Sequence, residues 1–256
     1  MTRIIVLANQ KGGVGKTTTA VNLSAALAIA EKKTLLVDID PQANSSSSLS
    51  VRLEENDPCI YDVLVAGMPA KQAILETEFN SLFLLPSHIK TVGAEVELVG
   101  FDEREHVLAA ALEPLREEYD YILIDCPPSL GLMTLNGLTA ADELLIPIQA
   151  EYFALEGLTQ LLKTVRLVQR RLNPRLQMAG IVMTMYDKRL KLAKQVLAEV
   201  REFFPKLLFK TVIRRNVRLA EAPSYGKPVM YFAVSSPGAS DYLALAEELL
   251  VREVNK

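Results

Sequence analysis

Asn9-Gln10-Lys11-Gly12-Gly13-Val14-Gly15-Lys16-Thr17 stands between an apolar run, Ile4 to Ala8, and a stretch of helical character that opens Thr18-Thr19-Ala20. The spacing departs from the ordinary phosphate-loop pattern Gly-x-x-x-x-Gly-Lys-[Ser/Thr], which wants a glycine where Gln10 stands. What remains is physically sufficient. Glycines let the backbone curl until successive N–H groups point at phosphate oxygens, at the positive end of the helix that follows. Lys16 offers a point charge to the β- and γ-phosphates, and Thr17 a hydroxyl to Mg²⁺. A lone Gly-x-Gly would read as an ordinary strand-to-helix turn. Strand, three glycines, Lys-Thr and helix in this order favour a nucleotide cradle, running from Lys11 through Gly12, Gly13, Val14, Gly15, Lys16 and Thr17 to Thr18. Lys11 is a second lysine at its mouth.

Around this loop the chain has 256 residues, half of them apolar, enough to bury a substantial core. No apolar run approaches the roughly 18 residues of a membrane span, and no secretory h-region precedes the first strand, so a cytoplasmic protein is expected. Cys59 and Cys126 lie far apart without histidines nearby, and read as free thiols rather than zinc ligands. The net charge of −3 hides an asymmetry: Tyr186 to Arg218 holds ten basic residues against three acidic ones. On composition alone that run is either a solvated face or a contact for DNA or an anionic membrane.

Strands read as short continuous apolar runs, as expected where both faces of a parallel sheet are covered. They are expected at 3–8, 34–38, 82–85, 121–125, 143–148, 178–183 and 208–213. Helical periodicity falls at 16–30, 103–118, 155–171, 190–203 and 240–254, with Pro114 ending or kinking the second, and short helices near 61–65 and 70–75. Ser45 to Ser48 reads as a polar loop. The alternation predicts an α/β fold: a doubly wound, mostly parallel sheet with helices on both faces and right-handed crossovers. No linker divides the chain, so residues 1–256 are expected to form one domain.

In such a sheet, ligands sit at the carboxyl ends of strands, which makes acids there informative. Tyr121-Ile122-Leu123-Ile124-Asp125 is an apolar strand ending in the hard oxygen ligand that Mg²⁺ needs. Thr34-Leu35-Leu36-Val37-Asp38 continues Ile39-Asp40-Pro41-Gln42, giving two carboxylates two residues apart. Any one of the three aspartates could be a turn cap, but three at one edge point to the phosphate site.

Lys-Gly-Gly-x-Gly-Lys-Thr resembles the deviant Walker A motif of the ParA/MinD superfamily, and the resemblance to ParA/Soj partitioning ATPases extends along nearly the whole chain. It rests on Ala8 to Thr19, Asp38-Ile39-Asp40-Pro41-Gln42, Asp125-Cys126-Pro127-Pro128-Ser129, Gln149 to Gly157 and Asn216 to Pro228. The last two stretches are the more particular to ParA/Soj. The resemblance implies a P-loop ATPase that uses ATP and Mg²⁺, dimerises over ATP, binds DNA without sequence preference and segregates chromosomes or plasmids. It implies a ParB/Spo0J-type activator and a nucleoid-associated location in the cytoplasm. Lys11 is implied to reach the partner subunit's nucleotide, making Lys11, Lys16 and Asp40 the catalytic set, with Asp40 orienting the attacking water. Thr17, Asp38 and Asp125 are the implied metal residues. With the phosphate loop starting at residue 9, no helix-turn-helix module is expected ahead of it.

The resemblance turns the basic stretch into an expected DNA surface, with Arg189 and Arg218 where the family places such arginines and Lys188, Lys191, Lys194, Arg214 and Arg215 beside them. One residue departs from the family: Arg214 stands where a proline near the adenine ring is usual. A MinD-like membrane ATPase is the alternative, but the C-terminal stretch 243–254 is acidic and reads as a docked core helix rather than a lipid-inserting one. An iron–sulfur reductase would need a cysteine pair from each subunit, which Cys59 and Cys126 are poorly placed to supply. A nucleotide-dependent binder with negligible turnover is the third reading, separated from an ATPase by phosphate release with and without DNA.

Overall fold

A computed structural model describes residues 2–152 and 154–254; Phe153, within the 149–157 motif, lies outside the described residues. The strands are β1 Arg3–Leu7, β2 Thr34–Asp38, β3 Leu75–Glu76, β4 Leu82–Leu85, β5 Tyr121–Asp125, β6 Glu143–Gln149, β7 Gln177–Tyr186 and β8 Leu208–Arg214. The helices are α1 Lys16–Ile29, α2 Asn44–Ser47, α3 Ile60–Leu64, α4 Ala70–Ala73, α5 Val92–Glu97, α6 Val107–Leu112, α7 Leu132–Ala140, α8 Ala154–Arg171, α9 Lys191–Phe203, α10 Val217–Glu221, α11 Val229–Phe232 and α12 Pro237–Val254.

Eight strands form one sheet in the order β3-β4-β2-β5-β1-β6-β7-β8, parallel throughout except for β3 against β4. β2 and β5 are buried along their whole length, because successive side chains enter two separate cores. Ile4, Val6, Leu35, Val37, Ile122 and Ile124 pack with α6, α7 and α8 on one face. Ile5, Leu7, Leu36 and Leu123 pack with α1 and α12 on the other. The doubly wound parallel sheet expected from the apolar runs is therefore present. Its C-terminal helix is a docked core helix, burying Tyr242, Leu245, Ala246 and Leu249.

Two expectations are overturned. The helix expected over 103–118 begins only at Val107, because Glu103 adopts φ +51° and breaks any helix through it. Its last turn, Glu113–Leu115, tightens to a 3₁₀ turn at Pro114. Ser45–Ser48, expected as a polar loop, instead belongs to the short half-buried helix α2 and its cap, and the reason lies in the side chains it meets.

Candidate nucleotide site

β1 feeds the phosphate loop at the carboxyl edge of the sheet, between β5 and β6. Asn9 holds the loop at its root: its Nδ2 donates to Pro147 O at 2.7 Å, and its Oδ1 accepts from Lys11 N at 3.0 Å. Gly13 and Gly15 adopt φ +73° and +83°, the left-handed conformation that a side chain would strain. Gly15 is also the N-cap of α1, so the curl ends where the positive end of a 14-residue helix begins. Thr184 on β7 secures the far side, its hydroxyl lying 2.7 Å from Val14 O and 3.0 Å from Ile148 O.

Lys16 is buried at the start of α1. Burial lowers its pKa, and the nearby charge of Asp125 opposes that shift. Asp38 and Asp125 are paired in register at the ends of neighbouring strands, both fully buried. Burial pushes both carboxyls above the usual range; the charge of Asp125 adds to the effect on Asp38, while Ser45, Thr17 and Lys16 offset it at Asp125. Asp38 is already well bonded: Oδ2 accepts from the backbone N and hydroxyl of Ser46 at 2.9 and 2.8 Å, and Oδ1 from Asp40 N at 3.2 Å. Ser45 Oγ donates to Asp125 Oδ2 at 2.8 Å. These bonds hold α2 against the strand ends.

Asp125 Oδ1 is buried with no hydrogen-bond partner. An orphaned carboxylate oxygen beside the Thr17 hydroxyl and Lys16 fits a hard divalent cation that keeps most of its waters and takes its remaining oxygens from phosphate. The residues present thus fit Mg²⁺. Asp40, almost buried, turns back at the same edge, where its Oδ1 accepts from Gln42 N at 2.9 Å.

A cavity of about 330 Å³ opens from Gly15 and Thr18 toward Met185, Arg214, Asn216 and Leu219. Its walls are mostly apolar and its inner end is the phosphate loop, which suits a purine base. Arg214 does not stand free over this cavity. Its Nε and Nη2 donate to the Asp241 carboxylate on α12 at 2.6 to 3.0 Å.

Lys11 is partly exposed and ion-paired with Glu151. Lys188, Arg189, Lys191, Lys194, Arg214, Arg215 and Arg218 are all exposed, and the structure brings them together at the carboxyl ends of β7 and β8 and the starts of α9 and α10. Arg215 N donates to Tyr186 O at 3.0 Å, tying the two strand ends side by side. Three of these arginines carry a carboxylate of their own: Arg214 with Asp241 at 2.6 Å, Arg189 with Asp187 at 2.7 Å and Arg218 with Glu221 at 2.7 Å. Cys59 and Cys126 are both buried, and burial raises both thiols.

A family model described as an AAA domain matches residues 2–178. The chromosome partitioning protein ParA of Myxococcus xanthus is 53% identical over 99% of this chain and 90% of its own length. Soj of Bacillus subtilis, a sporulation initiation inhibitor protein, is 52% identical over 97% and 98%. The chromosome-partitioning ATPase Soj of Treponema pallidum is 49% identical over 99% of each chain. Among solved structures, a cobyrinic acid a,c-diamide synthase from Mycobacterium smegmatis with bound ADP and magnesium superposes with TM-score 0.85 at 37% identity, over 98% of this chain and 94% of the other. The septum site-determining protein MinD of Pyrococcus horikoshii, complexed with Mg-ADP, superposes at 0.78 and 28% identity, over 97% and 96%.

Proposed function

The chain belongs to the ParA/Soj family of chromosome-partitioning ATPases and hydrolyses ATP with Mg²⁺, and from that premise we propose that it works as an ATP-bridged dimer that holds DNA. One observation supports the dimer: Lys11 lies at the mouth of the cradle with its side chain 41% exposed, held there by an exposed ion pair with Glu151 that a second subunit's phosphate would displace. Lys16, by contrast, is buried and serves its own site.

Phosphoryl transfer asks a protein mainly to position the reactants and neutralise developing charge. The loop N–H groups and Lys16 would hold the β- and γ-phosphates. Thr17 and Asp125 Oδ1 would hold Mg²⁺, which would supply charge neutralisation in the site, and Asp38 would fix the segment that carries Asp40. Asp40 would orient the attacking water. Lys11 of each subunit would complete the other's site, so that hydrolysis removes the phosphate that joins the two.

The seven exposed bases at the β7–β8 end support a DNA surface that contacts phosphates and reads no sequence. Such an ATPase acts at the nucleoid, with a ParB-type activator stimulating turnover and so releasing it. Size-exclusion chromatography of the wild type and Asp40→Ala with ATP, with and without DNA, tests the scheme. Stable ATP-dependent dimers of the variant that carry DNA are expected; a variant that stays monomeric with ATP sinks it.

A further inference from the structure

The apolar cavity beyond the phosphate loop has two walls that are held in place by unusual means. Met185, at the end of β7, adopts φ +50°, a left-handed conformation that is costly for a residue with a side chain. Its Cε lies 3.8 Å from where a Cβ on Gly15 would stand, so the thioether reaches the inner end of the cavity. A polarisable thioether of this kind suits the face of a ring.

The other wall is Arg214, and the start of α12 fixes it. Asp241, with its side chain only 10% exposed, accepts from Arg214 Nε at 3.0 Å through each of its oxygens, from Nη2 at 2.6 Å through Oδ1, and from the backbone N of Arg214 at 2.9 Å through Oδ2. Nη2 also donates to Pro237 O at 3.3 Å. Nη1 is the one guanidinium nitrogen without a hydrogen bond among the described residues. The next residue, Tyr242, is buried, lines the same cavity and places its hydroxyl 3.1 Å from that of Thr19 on α1. Two consecutive residues of α12 thus brace the cavity, one through β8 and one through α1. A carboxylate on two guanidinium nitrogens sets the tilt of the flat group as well as its position. The ordering entropy of this arginine is therefore spent before any ligand arrives.

We propose that Arg214 makes this site select purine nucleotides: its guanidinium face stacks on the base, with Met185 as the apolar partner and Asp241 as the positioning residue that holds the guanidinium flat. A two-ring base covers the guanidinium plane, whereas a single ring covers less of it. The inference rests on nucleotide binding by the chain and not on the dimer or the DNA surface proposed above. It gives Arg214 to the base instead of to DNA, and leaves the six other bases of that surface as they were.

Isothermal titration calorimetry of the full chain with ADP and with CDP, in Mg²⁺ and without DNA, tests it. The wild type is expected to prefer ADP. Arg214→Ala should lose about tenfold in ADP affinity and at most about threefold in CDP affinity. Arg214→Lys, which keeps the charge and loses the plane, should behave like Arg214→Ala. Because Arg214→Ala leaves the Asp241 carboxylate without its cation, Arg214→Ala/Asp241→Asn is measured beside it and should show the same loss of selectivity. Asp241→Asn alone should lose part of the preference, and should add nothing once Arg214 is gone. Equal losses for ADP and CDP would place the effect on the phosphates or the fold and overturn the proposal. So would wild-type selectivity in Arg214→Lys, or wild-type ADP affinity in the double variant.

Discussion

Lys11 and Glu151 are joined by an ion pair across the mouth of the phosphate loop, two side chains from the same subunit that are 41% and 45% exposed. The lysine proposed to serve a second subunit is thus engaged within its own. An exposed pair of this kind contributes at most about 1 kcal/mol, so it is a restraint that a phosphate can outbid. Glu151→Gln is therefore expected to tighten ATP-dependent dimerisation by up to about fivefold in sedimentation measurements, and Lys11→Ala to abolish it. Weaker dimers of Glu151→Gln would show that the carboxylate assists assembly instead.

Asp125 carries a buried charge and an oxygen without a partner. Its folded-state pKa is raised by burial, so the ionised carboxylate opposes folding at neutral pH, and that penalty fades as pH falls and the group takes up its proton. Asp125→Asn keeps an acceptor for Ser45 and removes the charge. Without ligand it is expected to melt above the wild type at neutral pH, with the gap closing in acid, yet to lose about two orders of magnitude of Mg²⁺-dependent turnover. A variant that hydrolyses ATP normally would remove Asp125 from the metal site.

Arg189 and Arg218 each face a carboxylate, Asp187 and Glu221. Arg189 holds the Asp187 carboxyl at about 2, so the pair stays fully charged at working pH. Arg189→Glu/Arg218→Glu should abolish DNA binding with dimerisation intact. Asp187→Asn should do the reverse, releasing Arg189 to a phosphate and steepening the dependence of log affinity on log salt by about one. An unchanged slope would mean that Arg189 does not reach DNA.

Glu248 on α12 ties down β8: Oε1 accepts from Lys210 N at 2.8 Å and Arg252 Nη2 at 2.9 Å, and Oε2 from Thr211 N at 2.9 Å and Oγ1 at 2.8 Å. Burial pushes its pKa up, but these donors win and hold it below the ordinary 4.5. Its stabilisation is complete above that value and lost as pH drops through the folded-state pKa. Glu248→Gln should cost about 1–2 kcal/mol in urea unfolding at neutral pH and progressively less below pH 4.5. A gap independent of pH would contradict the ionic role.

The strands and the cradle were legible because their signals are local. Continuous apolar runs mark a sheet covered on both faces, and Lys16, Thr17 and Asp125 sit at element ends that those runs define. Helix α7 left no periodic trace because nearly all of it is buried, Met133, Thr134, Asn136 and Leu138 included, so it has no polar face to alternate with. Serines favour loops, and α2 exists only because Asp38 and Asp125 bind Ser45 and Ser46 from strands elsewhere in the chain. Thr184 and Met185 border the nucleotide cavity from the end of a strand whose sequence carries no motif. The pairing of Arg214 with Asp241 spans 27 residues and follows from where α12 docks.

The order of strands also sorts charge in space. The acid-rich stretch between Val51 and Glu105 surrounds β3 and β4 at one margin of the sheet, while the base-rich stretch ends β7 and begins and ends β8 at the other. A body polarised along its long sheet feels a torque as well as a pull near a polyanion. On the DNA surface proposed above, it would swing its basic margin inward before any contact forms and leave its acidic margin outermost, like a compass needle. Whatever approaches from solution would then meet the β3–β4 margin first.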